Sequence, residues 1–126
     1  DLAHDNKTSS FTVLLSLFQI LLFCETGQKD QITGIAYAGR DMLEAEPIIG
    51  FLMNTLVVRN LIKAECSFAS FLVSSRKTLE KVFRYKNIPF SRINRLCQET
   101  DKREKVFESM FLMQTMDFPS LDFKDD

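Results

Sequence analysis

The longest apolar stretch of the chain, residues 11–24 (FTVLLSLFQILLFC), is interrupted by polar residues at a regular spacing. Thr12, Ser16 and Gln19 follow one another at intervals of four and three residues, which places them along one edge of an α-helix. We therefore predict a helix that is buried on most sides and has one polar edge. The run is shorter than the roughly 20 apolar residues that a membrane-spanning helix needs.

Two segments predict β-strands. Residues 31–39 (QITGIAYAG) predict a short strand, and residues 48–59 (IIGFLMNTLVVR) are almost continuously apolar, as in a central strand buried on both faces. Asn54 interrupts the second strand, on the same face as Leu56 and Val58. A buried amide without partners costs about 1–3 kcal/mol. Asn54 therefore either bonds to a defined polar neighbour in the core or lines a cavity, and the strand alone favours neither.

Two later segments predict amphipathic helices. Residues 67–85 carry apolar side chains on one face and charged ones on the other, and residues 90–99 predict a shorter helix that buries Ile93 and Leu96. Residues 106–116 fit a helix or a strand almost equally well. The order of the elements predicts α/β or α+β packing around a small sheet.

Histidine and cysteine usage limits the possible chemistry. His4 is the single histidine, and the three cysteines, Cys24, Cys66 and Cys97, form no CxxC pair. This excludes the usual ligand set of a zinc site. We expect three reduced, mostly buried thiols, which favours a cytoplasmic or other intracellular location.

The net charge of −1 is the sum of three segments of different sign. Residues 1–58 hold three basic and seven acidic side chains, residues 59–105 twelve and five, and residues 106–126 one and five. The basic middle segment suits an acidic partner or a phosphate, and the alternative is an ordinary solvated helix face. The sequence has neither a glycine-rich phosphate loop nor the aromatic–basic interleaving of single-stranded nucleic-acid binders.

Four motifs in order resemble the condensation domains of nonribosomal peptide synthetases. TGQKDQITGIAYAGR (26–40) is similar to the family's tGq-x-D-x-x-x-G-x-x-x-x-gR, and IIGFLMNTLVVR (48–59) to I-G-x-F-V-N-T-x-x-x-R. YKNIPF (85–90) is similar to Q-D-x-P-F, with Lys86 and Asn87 in place of Gln and Asp. KREKVFESMFLMQ (102–114) is a weaker match to S-R-N-P-L-F-Q-x-M-F-x-x-Q.

The resemblance implies a fold and a domain organisation. The family has the two-lobed chloramphenicol-acetyltransferase-like fold, and this chain would be most of the second lobe, an incomplete two-layer α/β sandwich. Residues 1–116 would form the lobe fragment, and residues 117–126 a linker or a frayed tail. The resemblance also implies a strand over residues 106–114. The chain begins at Asp1 rather than Met, which fits the interpretation as a fragment.

The resemblance further implies the reaction. Condensation domains form an amide bond between an acyl or aminoacyl thioester and an amine, each carried on the phosphopantetheine arm of a carrier protein. The family's catalytic signature, His-His-x-x-x-Asp-Gly, lies in the first lobe and does not occur in this chain. We therefore expect no catalytic residue here and an inactive isolated fragment.

Cofactors and partners follow from the same resemblance. It implies no bound cofactor or metal, with phosphopantetheine as a carrier-borne substrate arm. The implied partners are the missing N-terminal lobe and carrier protein domains, without nucleic acid or membrane. Three alternatives remain: a degenerate, non-catalytic module that binds a carrier or partner protein, an ester-forming acyltransferase of the same superfamily, and a gene-model fragment with no independent role.

Three groups of residues become site candidates. By position in the motifs, Gly50, Asn54 and Thr55 would border the substrate tunnel, with Asn54 hydrogen-bonding to substrate or to the other lobe. Arg40, Arg59 and Asp30 would be structural or lobe-interface residues. By charge, Arg76, Lys77 and Arg84 on the basic helix would dock acidic carrier proteins.

Overall fold

The computed structural model describes residues 1–37, 54–102 and 104–113 of the chain. Within these ranges the elements are α1 (Leu2–Asp5), α2 (Ser10–Thr26), β1 (Asp30–Tyr37), β2 (Asn54–Leu61), α3 (Phe68–Arg84), α4 (Phe90–Thr100) and β3 (Ser109–Phe111). The strands form one mixed sheet of order β2-β1-β3. β1 pairs with β2 in antiparallel fashion from Asp30↔Leu61 to Tyr37↔Asn54, and it pairs with β3 in parallel.

The predicted elements are present, with shifted limits. α2, α3 and α4 agree with the predicted helices to within two residues at each end. β2 continues past Arg59 to Leu61, and the predicted strand residues 48–53 lie outside the described residues. The strand implied over residues 106–114 is confirmed in type but is limited to Ser109–Phe111.

The orientation of α2 differs from the prediction. Thr12, Ser16 and Gln19 are among its most buried residues, with Ser16 and Gln19 at 0% exposure, whereas Leu17 and Leu21 are 45% and 57% exposed. The predicted polar edge is therefore the inner face of the helix. The reason is that the sheet offers polar partners to Gln19, while Thr12 bonds to Ser9 and Ser16 donates to the backbone carbonyl of Thr12, so that burying this edge leaves its hydrogen bonds satisfied.

Those partners form a buried hydrogen-bonded group between the helices and the sheet. Gln19 of α2 donates to Thr33 Oγ1 of β1 at 3.2 Å, and Asn60 of β2 donates to Gln19 Oε1 at 2.8 Å. The amide of Asn60 also lies 3.3 Å from Ser75 Oγ of α3. We call Gln19, Thr33, Asn60 and Ser75 the buried polar group. Its members are at most 4% exposed, and one residue comes from each of four elements.

Apolar packing completes the same interface. Leu15 of α2, Ile35 of β1, Leu56 and Val58 of β2 and Leu79 of α3 form one buried cluster. Full burial of side chains of this size contributes on the order of 1.5–3 kcal/mol each. Phe111 of β3 packs on α2 through Phe11 and Phe18, with ring centroids 5.5 Å apart in both pairs. The helical layer thus covers one face of the sheet.

Two predictions about burial are wrong. Leu96 on α4 is 52% exposed, since within the described residues α4 is not covered on that side. Cys24 is exposed rather than buried, while Cys66 and Cys97 are half-buried, and all three are free thiols. Cys24 lies in the last two turns of α2, on the outward side of the helix, where none of the described elements covers it.

The buried polar group leads to a test of stability. We expect Asn60→Leu and Gln19→Leu each to lower the free energy of unfolding by about 1–3 kcal/mol, because each leaves a buried partner without its hydrogen bond. The double variant should lower the free energy of unfolding by less than the sum of the two single variants, since both polar partners are then removed together. Urea unfolding of the four proteins measures the coupling, and exposed Asn87→Leu is the control. Strictly additive losses would contradict the assigned contacts.

Candidate functional site

Asn54 joins the first residue of β2 to the segment between α3 and α4. Its amide nitrogen donates to the backbone carbonyls of Lys86 at 3.0 Å and Ile88 at 2.8 Å. Its Oδ1 accepts from the backbone N–H of Phe90 at 3.1 Å. The side chain therefore acts as a three-point backbone clamp on the YKNIPF motif. It also satisfies the Phe90 N–H in the first turn of α4, whose N-cap Pro89 offers no side-chain cap.

The clamp bears on the two alternatives that the sequence left open for Asn54. Both amide protons are already donated to carbonyls, and among the described residues Oδ1 accepts one hydrogen bond of the two it is able to accept. Asn54 thus has the defined polar neighbours of the first alternative. A role at the substrate tunnel stays a prediction, with Oδ1 as the remaining contact atom.

Thr55 and Asn54 point to opposite faces of the sheet, since they are neighbours in one strand. Asn54 shares its face with buried Leu56 and Val58, which pack against the helical layer. Thr55 lies on the other face and is half-buried. A cavity bordered by one face of β2 therefore contacts only one of these two side chains. Gly50 and Arg40, the other predicted tunnel and interface residues, lie outside the described residues.

The other face of the sheet holds a close contact between two further motifs. A Cβ atom on Gly34 would lie 2.6 Å from Cζ of Phe107, so the Phe107 ring rests directly on the backbone of β1. The same ring stands 5.5 Å from the ring of Phe90. Because Gly34 lies between Thr33 and Ile35, Phe107 is on the face away from the helical layer.

The four motif segments therefore meet. Asn54 of the second motif bonds to the third at Phe90, and Phe90 contacts Phe107 of the fourth, which packs on Gly34 of the first. We call Gly34, Asn54, Phe90 and Phe107 the motif junction. The sequence indicated Asn54 in this group. Phe90 and Phe107 were matched as motif residues but not predicted as site residues, although the absence of a side chain at Gly34 is a signal that something approaches the strand closely.

Asp30 and Arg59 pair with each other towards the end of β1 and β2 that is opposite to Asn54. Arg59 donates from Nε to Asp30 Oδ1 at 3.0 Å and from Nη2 to Oδ2 at 2.7 Å, a bidentate pair. The hydrogen bond to Asp30 raises the pKa of Arg59 above its ordinary value. The pair ties the first motif to the second, and it is solvent-exposed, so salt screens it.

The predicted docking residues on α3 divide into two kinds. Arg76 is used inside the fold: it donates from Nη1 to the backbone carbonyl of Lys7 at 3.1 Å, and its Nε lies 3.7 Å from the carboxylate of Glu80. Lys77 and Arg84 are exposed, and Lys81 lies between them on the same side of the helix. We call Lys77, Lys81 and Arg84 the basic stripe. Lys81 was not among the three predicted docking residues.

Neither a metal site nor a membrane-spanning helix is found in the part of the chain that the structure describes. No group of three or more His, Cys, Asp or Glu side chains is arranged to hold a metal ion there. None of its helices has the length and apolar character required to cross a membrane.

Comparison with known proteins agrees with the motif assignment. The sequence profile described as "Condensation domain" matches residues 1–125, nearly the whole chain. The chain belongs to the condensation-domain family of nonribosomal peptide synthetases. A linear gramicidin synthase of Brevibacillus parabrevis is 34% identical over 115 residues, which is 90% of this chain. A plipastatin synthase of Bacillus subtilis is 33% identical over 123 residues, or 96% of this chain.

Solved condensation-domain structures share the fold. A four-domain nonribosomal peptide synthetase bound to AMP and glycine superposes with a TM-score of 0.82 at 20% identity over 91% of this chain. The first condensation domain of the calcium-dependent antibiotic synthetase, in complex with a substrate analogue, gives 0.75 at 16% identity over 92%. The condensation-domain segment thus has the chloramphenicol-acetyltransferase-like fold and represents part of one α/β lobe.

The matched portion of each relative is small. The chain spans 2% of the gramicidin synthase polypeptide and 5% of the plipastatin synthase polypeptide. It spans 9% of the four-domain synthetase chain and 25% of the antibiotic synthetase condensation domain. Most of the condensation-domain fold therefore lies outside the matched segment.

The contact between Gly34 and Phe107 predicts a specific coupling. We expect Gly34→Ala to lower the free energy of unfolding by about 1–3 kcal/mol, because the added methyl group overlaps the Phe107 ring. Phe107→Leu in the same protein should relieve part of that loss. Gly27→Ala is the matched control. Gly27 has φ +71° and an added Cβ atom would meet open space, so Gly27→Ala should lower the free energy of unfolding through backbone strain alone. Phe107→Leu should not change that decrease. Equal coupling for both glycines in urea unfolding would contradict the contact.

The Asn54 clamp predicts a local change in amide hydrogen exchange. We expect Asn54→Ala to speed exchange at the Phe90 N–H and to loosen the segment 85–90, because three hydrogen bonds are lost together. Asn54→Asp keeps an acceptor for Phe90 but turns a carboxylate towards two carbonyls, so it should loosen the segment as well. Exposed Asn87→Ala is the control. Unchanged exchange at Phe90 in Asn54→Ala would exclude the clamp.

Proposed function

We propose that this chain is a structural segment of a condensation domain that forms an amide bond in nonribosomal peptide synthesis. The amine of one carrier-bound substrate attacks the thioester carbonyl of the other. The C–N bond forms, the C–S bond breaks, the phosphopantetheine thiol leaves and the amine gives up a proton. The observation that carries the proposal is the motif junction, which brings the four family motifs into contact at Gly34, Asn54, Phe90 and Phe107.

The proposed contribution of the segment is positional. The chain holds one histidine, His4, which is exposed at the start of the chain and is not part of a His-His-x-x-x-Asp-Gly signature. A general base for the amine would therefore be supplied by residues outside this segment. The segment would instead keep β2 and the YKNIPF motif in a fixed relation beside the tunnel, which orients the two bound arms for reaction.

The basic stripe supports carrier docking as a second element of the proposal. Lys77, Lys81 and Arg84 project from one side of α3, and among the described residues no acidic side chain forms an ion pair with them. Exposed charges of one sign steer an oppositely charged partner and raise its association rate. We therefore assign acidic carrier proteins to this stripe, with Arg76 excluded because it holds the segment before α2. A degenerate module that only binds carriers would use the same stripe.

A reconstituted condensation assay tests both elements. A complete condensation domain that contains this segment would be mixed with a donor carrier loaded with an aminoacyl thioester and an acceptor carrier loaded with an amino acid. Mass spectrometry would then follow the amide product. We expect Lys77→Glu with Arg84→Glu to raise KM for a carrier by roughly tenfold with kcat nearly unchanged, because these charges act on encounter rather than on the reacting atoms.

The matched control carries the same change of charge on another helix. Arg92→Glu with Arg95→Glu on exposed positions of α4 should leave KM for the carrier close to that of the parent. An equal effect of both double variants would indicate a response to net charge alone and contradict docking on α3. Carrier binding without any amide product, in a domain with an intact His-His-x-x-x-Asp-Gly signature, would favour the non-catalytic alternative. An ester product from a hydroxyl acceptor would favour the acyltransferase.

A further inference from the structure

The end of the sheet that carries Asn54 also carries two aromatic rings and a cation in contact. Tyr37 is the last residue of β1 and the register partner of Asn54 in β2. The ammonium Nζ of Lys86 lies over the Tyr37 ring, 5.5 Å from its centroid. The Phe83 ring of α3 meets the Tyr37 ring edge to face, with centroids 6.0 Å apart. We call Tyr37, Phe83 and Lys86 the cation–aromatic cluster.

Lys86 is held at two points of the sheet. Its backbone carbonyl accepts a hydrogen bond from the Asn54 amide at 3.0 Å, and its side chain rests on Tyr37. Cross-strand partners of an antiparallel pair project from the same face, so Asn54 and Tyr37 reach the segment between α3 and α4 from one side. One residue of the YKNIPF motif thus contacts β2 through its backbone and β1 through its side chain.

The lysine is a departure of this chain from the motif Q-D-x-P-F, in which the corresponding residue is Gln. A neutral glutamine lacks the attraction between a positive charge and the negative face of an aromatic ring. This attraction acts within about 6 Å of the ring centroid and is stronger where water is partly excluded. Lys86 and Tyr37 are both half-buried. The charge at position 86 therefore adds a contact with β1 that a glutamine does not make.

We propose that Lys86 is a positioning residue of this chain, whose ammonium group on the Tyr37 ring keeps the Asn54 clamp closed on the YKNIPF motif. In this role the side chain acts through the backbone that Asn54 holds and not on the reacting groups. For its effect on catalysis the proposal rests on the proposed function, since a fixed motif beside the tunnel orients the bound arms. Its structural part is measured without turnover.

Amide hydrogen exchange in a complete condensation domain that contains this segment tests the structural part. The Phe90 N–H donates to Asn54 Oδ1, so it exchanges when the clamp opens. We expect Lys86→Gln to speed this exchange by about two- to fivefold, the equilibrium factor that corresponds to one cation–π contact. Lys86→Arg keeps a cation on the ring and should exchange like the parent. Lys63→Gln, at an exposed lysine outside the cluster, is the control for a change of net charge.

Variants of Tyr37 separate the ring contact from every other contact of Lys86. In a Tyr37→Leu background, Lys86→Gln should change the exchange rate of the Phe90 N–H by less than about 1.5-fold, because the ring is already absent. In a Tyr37→Phe background the ring is kept, and Lys86→Gln should have its full effect. An equal acceleration in the Tyr37→Leu background and in the parent would overturn the proposal.

The condensation assay tests the effect on catalysis. We expect Lys86→Gln to lower kcat by about two- to fivefold with KM for each carrier nearly unchanged, because ordering the motif for reaction then lacks this contact. Lys86→Arg should restore kcat. This is the opposite pattern to that of the basic stripe, so a raised KM with unchanged kcat would make Lys86 a docking charge and overturn its positioning role.

The two measurements distinguish this proposal from the proposed function. Faster exchange in Lys86→Gln with an unchanged kcat would overturn the role of Lys86 in catalysis while amide formation stands. A parent domain that forms no amide would contradict the proposed function, and the exchange rates in the Tyr37 backgrounds would then decide whether Lys86 holds the motif.

Discussion

The side-chain amide of Gln19 is the contact on which the arrangement of the two layers depends. It bonds to Thr33 of β1 and Asn60 of β2, and Asn60 in turn reaches Ser75 of α3. Apolar contacts such as Leu15 against Ile35 supply most of the favourable free energy, but they are not directional. Hydrogen bonds in a dry interior are directional, and an unmade one is costly. Sliding or rotating α2 would break these bonds, so the buried polar group selects one position among those that the apolar surfaces permit.

The same principle applies at the motif junction, on a smaller scale. The side chain of Asn54 supplies hydrogen bonds to the backbone of residues 86–90, as a neighbouring strand would. The Phe107 ring occupies the space that a side chain at Gly34 would fill. Within the described residues, both side chains contact the backbone of another motif segment. Motif residues of this kind fix the relation of two segments that are far apart in the chain. This is compatible with a wall beside a reaction tunnel, where positions within fractions of an ångström matter for rate.

The family was predictable because its motifs are local. The spacing of Gly34, Asn54 and Phe90 is visible in the sequence, as are the periodicities of α2, α3 and α4. Asp30 and Arg59 were both predicted as structural or lobe-interface residues, but the hydrogen-bonded pair that they form with each other was not. Pairing depends on the register of two antiparallel strands, and the segment between them carries no residue pattern that fixes this register.

The type and order of the elements follow from local sequence, because helix and strand periodicity and capping act between residues near one another in the chain. Which side of α2 is inside depends instead on how the distant segments pack. The pattern showed three polar residues on a mostly apolar helix, and burial of the apolar majority was the simpler prediction. The fold buries Thr12, Ser16 and Gln19, because partners at Thr33 and Asn60 satisfy Gln19 while Ser16 donates to the backbone of Thr12. A residue's polarity states only the cost of burial without partners, and the partners belong to distant parts of the chain.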